Sequence, residues 1–185
     1  METALTKQIK ARLRSFRPAL HSGLRTIRWA EEVQTSTGFA DVVRFEDYVT
    51  QDNSYCGIPT SDCKIAGKSF PCENCRGCVH KRTRYALGIL ATCYEVKISV
   101  ADFKSPNGHN FHGNRNYYVV PAEICEKVMP LAPSDIGIIV HYSDSGRMAI
   151  KRECKHYEMK EDMLSLLLYN ALKKWVDGRQ ETNRI

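Results

Sequence analysis

The residues with the greatest chemical potential lie in Tyr94-Glu95-Val96-Lys97-Ile98. Read as a strand, alternation sends Glu95 and Lys97 to one face and Tyr94, Val96 and Ile98 to the other. A carboxylate and an ammonium on a mostly apolar strand are costly unless they pair or work. An ion pair on an edge strand is one reading. The other gains weight from Asp41, which follows Gly38 and Ala40 and opens a run of β-formers, Val42, Val43, Phe45 and Tyr48. Glu31 and Glu32 stand nine or ten residues earlier, at the end of a segment whose spacing predicts a helix. An acid from a helix, an acid from one strand and an acid-x-Lys from its neighbour can meet at one point. Carboxylate oxygens so placed suit Mg²⁺ or Mn²⁺, which keeps waters and bridges to a substrate phosphate. Such an ion acidifies a water and stabilises charge on the phosphate, while the lysine positions or deprotonates the nucleophile.

The elements that must position these groups follow from periodicity. Thr3 to Arg17 reads as a helix with Leu5, Ile9, Leu13 and Phe16 on one stripe and Lys7, Lys10, Arg14 and Arg17 mostly off it. Pro18 ends it. Ser22 is placed to cap a second helix in which Leu24, Ile27, Ala30 and Val33 face inward, and Gly38 breaks the chain. Strands are expected over Phe39–Tyr48, Tyr85–Ser99 and Tyr117–Val120, with a polar loop over Ser105–Gly113. Pro121 is suited to start a short helix through Val128. Ile136–Tyr142 and Met148–Arg152 read as a hairpin across Asp144-Ser145-Gly146, and Glu158–Val176 as a last helix stopping at Gly178. The order implies a mixed sheet with helices packed on it, an α/β or α+β domain. At 185 residues the chain fits one compact domain.

Periodicity vanishes from Val49 to His80, and cysteines take its place. Cys56, Cys63, Cys72, Cys75 and Cys78 fall within 23 residues. Two overlapping C-x-x-C pairs aim thiolates at one ion, and four of the five would complete a tetrahedral structural zinc site, with His80 a competing ligand. An iron–sulfur cluster uses the same spacing, and a reduced loop without metal is the bland reading. Arg76, Lys81, Arg82 and Arg84 beside this insertion suit phosphate contacts, as do Lys104 and Arg115 further on. His109 and His112 in the polar loop are read as solvated and outside the catalytic set. Cys93, Cys125 and Cys154 are read as small core residues.

Net charge is +6, distributed unevenly: residues 1–30 sum to +6, 31–63 to −6 and 64–84 to +5. Basic blocks around an acidic one suit a protein that holds phosphates at its rims and metal at its centre. No apolar run approaches the ~20 residues a membrane span needs. The basic, polar first fifteen residues lack the apolar core of a secretory signal, so an intracellular protein is expected.

Glu…Asp…Glu-x-Lys resembles the PD-(D/E)XK nuclease superfamily. The family's helix glutamate would fall on Glu32 (or Glu31), its strand aspartate on Asp41, and its (D/E)-x-K on Glu95 and Lys97. The run from Tyr94 to Phe103, then His109-Asn110-Phe111 and Asn116-Tyr117-Tyr118-Val119-Val120-Pro121, resembles phage, prophage and bacterial DNA-repair members. Two features depart from the pattern: Ala40 stands where the family has proline, and 53 residues separate Asp41 from Glu95. The resemblance implies one restriction-endonuclease-like domain over residues 1–185, interrupted by the 49–80 insertion. It implies a Mg²⁺- or Mn²⁺-dependent enzyme hydrolysing DNA phosphodiesters, encoded by a phage or bacterium and working in the bacterial cytoplasm. The alternative is a catalytically idle module of the same fold that binds nucleic acid or a phage or host protein, for example as an inhibitor of host defence. A homodimer is compatible with either.

Overall fold

The computed structural model describes residues 2–17, 25–52 and 84–182, with backbone alone at 25–27, 48–52, 84–87 and 178–182. Two compact units divide the chain, Asp47–Gly88 and the remainder. Of the smaller unit only the ends of two strands are described, so the five clustered cysteines with Arg76, Lys81 and Arg82 lie outside the described residues, as does the Arg84 side chain.

Helix α1 (Ala4–Ser15) begins at Thr3, whose hydroxyl accepts from the Thr6 amide and satisfies a first-turn donor. Strands β1 (Arg25–Gln34), β2 (Phe39–Asp52) and β3 (Arg84–Val96) follow. The short helix α2 (Val100–Lys104) leads to β4 (Arg115–Pro121), helix α3 (Ala122–Val128), β5 (Gly137–Tyr142), β6 (Arg147–Arg152) and helix α4 (Glu161–Thr182). The strands form one six-stranded sheet in the order β1-β2-β3-β4-β5-β6. Pairing is parallel for β3–β4 and β4–β5 and antiparallel for β5–β6. Parallel neighbours need crossovers, and α2 and α3 lie in those connections. The protein is thus a mixed α+β fold with helices on a mixed sheet.

Alternation splits the core into two layers. Val42, Tyr94, Val96, Tyr117, Val119 and Ile139 pack against Ile9 and Leu13 of α1. On the opposite face Val43, Phe45, Ala91 and Cys93 meet Leu167 and Ala171 of α4. Tyr118, Val120, Ile138 and Val140 meet Phe103, Cys125 and Val128 beside them. Buried Arg44 fixes the end of α1: its guanidinium donates to the Phe16 carbonyl at 3.0 Å and lies 3.0 Å from the Glu46 carboxylate. It also sits over the rings of Trp29 and Tyr94, at 5.1 and 5.5 Å. Trp175 donates to the Trp29 carbonyl and holds α4 on β1.

The expected second helix is strand β1. Its helical look came from Ala30 and Val33, three residues apart and both in the α4 layer. Glu32 between them has φ +52°, which shifts the alternation by one residue so that both reach the same core. The last helix also runs past Gly178 to Thr182. Gly137 opens β5 where no side chain fits: a Cβ there would lie 2.3 Å from the Tyr117 ring and 2.9 Å from the Cys154 amide. Gly137→Ala is therefore expected to cost about 2 kcal/mol, a fall in Tm of about 6 °C read by thermal unfolding.

Candidate active site

Asp41 comes from β2 and Glu95 from β3, where Glu95 follows Ala91 and Cys93 onto the face packed by α4. Asp41 and Glu95 line a cleft of about 430 Å³ together with Glu32, Lys97, Asp102 and the loop residues Asn107, Gly108 and Asn110. Asp41 is anchored by the Val96 amide, which donates to its carboxylate at 2.8 Å. Glu95 is 1% exposed and its Oε1 has no hydrogen-bond partner. An orphaned, buried carboxylate oxygen is expensive and marks a place where something else should bind.

Electrostatics agree with the geometry. Burial pushes the Glu95 carboxyl up to about 8, and the Asp41 charge adds to that rise while Lys97 opposes it. Burial also raises Asp41, against the opposing pull of the Val96 amide and of Lys10. Two carboxyls made reluctant to ionise, Glu95 by burial and the Asp41 charge, Asp41 by burial and the Glu32 charge, are the donor set a hard divalent cation would relieve. Two carboxylates with remaining positions filled by water are sufficient for Mg²⁺.

Lys97 is 3% exposed and fixed by the loop it faces. Its Nζ donates to the carbonyls of Asn107 at 2.5 Å and Asp102 at 3.3 Å, with the Asp102 carboxylate 3.8 Å away. Asp102 is itself held by the Ile98 amide, and Ser99 caps α2 through the Asp102 amide. Gly108, at φ +72°, passes so near that a Cβ would lie 2.6 Å from Lys97 Nζ and 3.1 Å from Glu95 Oε2. Only glycine allows this approach.

Glu32 behaves differently from the expected helix acid. It sits on β1, in a left-handed conformation, with Oε1 2.6 Å from Lys10 Nζ. Among the described residues no three His, Cys, Asp or Glu side chains stand together as a metal-binding group. Glu32 lines the cleft with Asp41 and Glu95, and its charge adds to the upward shift of both. Glu31 is paired with Arg14 at the surface.

Lys10, expected mostly outside the α1 stripe, is buried. Its ammonium bonds Glu32 and lies 3.0 Å from Glu2; burial alone would lower its pKa, but these partners and the Asp41 charge raise it. The signal was its place beside Ile9 and one turn before Leu13, at the flank of the apolar stripe. The remaining candidates fall elsewhere. Arg115 shares the α1 face with Tyr117 and Val119 and stands 3.8 Å from buried Glu46, away from the carboxylates. Lys104 is exposed at the end of α2. His109 bonds the Tyr118 hydroxyl at 2.5 Å and the Ser105 carbonyl at 2.8 Å, and His112 bonds Thr37 at 2.8 Å. Both histidines brace the loop that carries Asn107 and Gly108.

No protein-family model matches the chain, and no curated protein matches it. Among solved structures it is similar to SPO1766, a protein of unknown function from Silicibacter pomeroyi, at 15% identity and a TM-score of 0.53. The alignment covers 96% of this chain and 88% of that one, and the likeness is one of fold. No helix among the described residues is long and apolar enough to cross a membrane.

Proposed function

We propose that the chain is a metal-dependent nuclease of the PD-(D/E)XK type, acting on DNA phosphodiesters in a bacterial cytoplasm. One observation carries the reading: half-buried Asp41 on β2 and buried Glu95 on β3, the latter with an unpartnered oxygen, share a cleft with the ammonium of Lys97. Asp41 and Glu95 would hold Mg²⁺ or Mn²⁺, which when bound neutralises phosphate charge and supplies an acidified water. Lys97, already oriented by two carbonyls, presents a positive charge where the phosphate oxygens become more negative. The Val96 amide keeps Asp41 aimed at the cleft as the charge distribution changes.

Incubation with linear, circular and single-stranded DNA in Mn²⁺ or Mg²⁺ tests this. Cleavage that EDTA stops is expected, and no cleavage of any of the three contradicts it. DNA retained without turnover, more weakly as salt rises, marks the idle binding module instead.

The 49–80 insertion is proposed to be a metal-stapled module. Its sequence has few large apolar residues, Ile58, Ile65 and Phe70 among them, too few to offset the ordering entropy of over thirty residues. Structural zinc supplies on the order of 10 kcal/mol. Elemental analysis should find about one zinc per chain; iron with sulfide would favour a cluster, and no metal would leave a plain loop.

A further inference from the structure

Phe39 opens β2 and is 52% exposed. A single exposed aromatic is ordinary, but this one lines two cavities. One is the carboxylate cleft. The other is a groove of about 170 Å³ whose far wall is α4, lined there by Asn170, Lys173, Lys174 and Asp177. Their spacing puts these four on one helical stripe, while Leu167, Ala171 and Trp175 pack on the sheet side. The wall is fixed, because the Asn170 amide donates to the Gln34 carbonyl at 2.9 Å. On the cleft side the Phe39 carbonyl accepts from Asn110 at 3.1 Å, so the turn bearing the ring is tied to the loop that holds Lys97.

The two cavities differ in charge. The cleft is rich in carboxylates and would hold a metal and one phosphate. The groove offers two exposed lysines against one aspartate. A chain leaving the cleft meets an aromatic face first and ammonium groups next. That sequence of surfaces fits a phosphodiester strand whose base is free to stack while its next phosphate is neutralised. A base inside a duplex is already stacked on its neighbours and has no free face to offer.

We propose that Phe39, Lys173 and Lys174 form a binding subsite for single-stranded DNA, so that the substrate is a single strand or the unpaired end of a duplex. This rests on the nuclease reading for the direction in which the strand leaves, but its test is binding. The probes are fluorescein-labelled oligo-dT and its blunt duplex with oligo-dA, titrated by anisotropy against the full chain in EDTA. Oligo-dT should bind more tightly than the duplex. Phe39→Ala should weaken oligo-dT binding about tenfold, and Phe39→Trp should retain it. Lys173→Gln with Lys174→Gln should reduce the salt slope of oligo-dT binding by about 1.4. Equal or tighter duplex binding, or oligo-dT affinity unchanged in Phe39→Ala, overturns the proposal. Cleavage in Mn²⁺ separates the two ideas: DNA cut without any effect of Phe39 on binding leaves the nuclease reading and removes the subsite. Strand binding through Phe39 with no cutting does the reverse.

Discussion

Glu95→Gln is expected to reduce Mn²⁺-dependent DNA cleavage by about a hundred- to a thousandfold, and Asp41→Asn to do the same. The same Glu95 substitution should also stabilise the metal-free protein at alkaline pH. Folding raises this carboxyl to about 8, chiefly through burial. The folded state therefore holds a proton that the unfolded chain releases in the usual carboxylate range. Stability of the metal-free protein must fall as pH rises from that range through about 8, because ionisation is then enforced on a buried group. Glutamine has no such proton to lose. At pH above 8 the variant should melt about 5 °C higher than the parent, and near the acid end of the range the difference should vanish. Thermal unfolding in EDTA across this range measures it. Loss of activity together with loss of stability at every pH would mean that Glu95 is merely structural.

Gly108→Ala should be nearly as damaging to catalysis, although it adds one methyl group. The added Cβ would stand 2.6 Å from Lys97 Nζ, and the ammonium has little freedom because two carbonyls hold it. Lysine and loop must separate, and cleavage should fall about a hundredfold. Alanine at φ +72° also costs roughly 1 kcal/mol in the backbone. Gly146 provides the control, since it has φ +63° in the β5–β6 turn, where a Cβ meets only the Arg12 side chain, no closer than 3.3 Å. Gly146→Ala should show the small stability loss with activity retained. Equal activity losses in both variants would indicate a general effect of destabilisation.

The parts of the fold legible in the sequence are those where one local rule dominates. Leu5, Ile9 and Leu13 mark α1 at helical spacing, Pro121 leads into α3, and the β5–β6 hairpin turns across Asp144, Ser145 and Gly146. β1 looks helical in the sequence because one left-handed residue, Glu32, places Ala30 and Val33 on a common face at helical spacing. No pattern rule anticipates such a residue, since glutamate has no preference for that conformation. The acid-x-lysine pair was legible because charges on an apolar strand require a reason. Lys10 was missed because its burial depends on Glu32 and Glu2, partners that only the tertiary fold supplies. Gly108 was equally silent: its role is defined by a lysine eleven residues earlier in the chain.

Diffraction from a crystal soaked in Mn²⁺, measured at a wavelength where manganese scatters anomalously, tests the central claim most directly. The expected result is one anomalous peak between Asp41 and Glu95, with carboxylate oxygens at about 2.1 Å and water in the remaining positions. A fully soaked crystal with no peak between these two carboxylates, or with manganese bound only elsewhere, would contradict the assignment of this cleft as a metal-dependent active site.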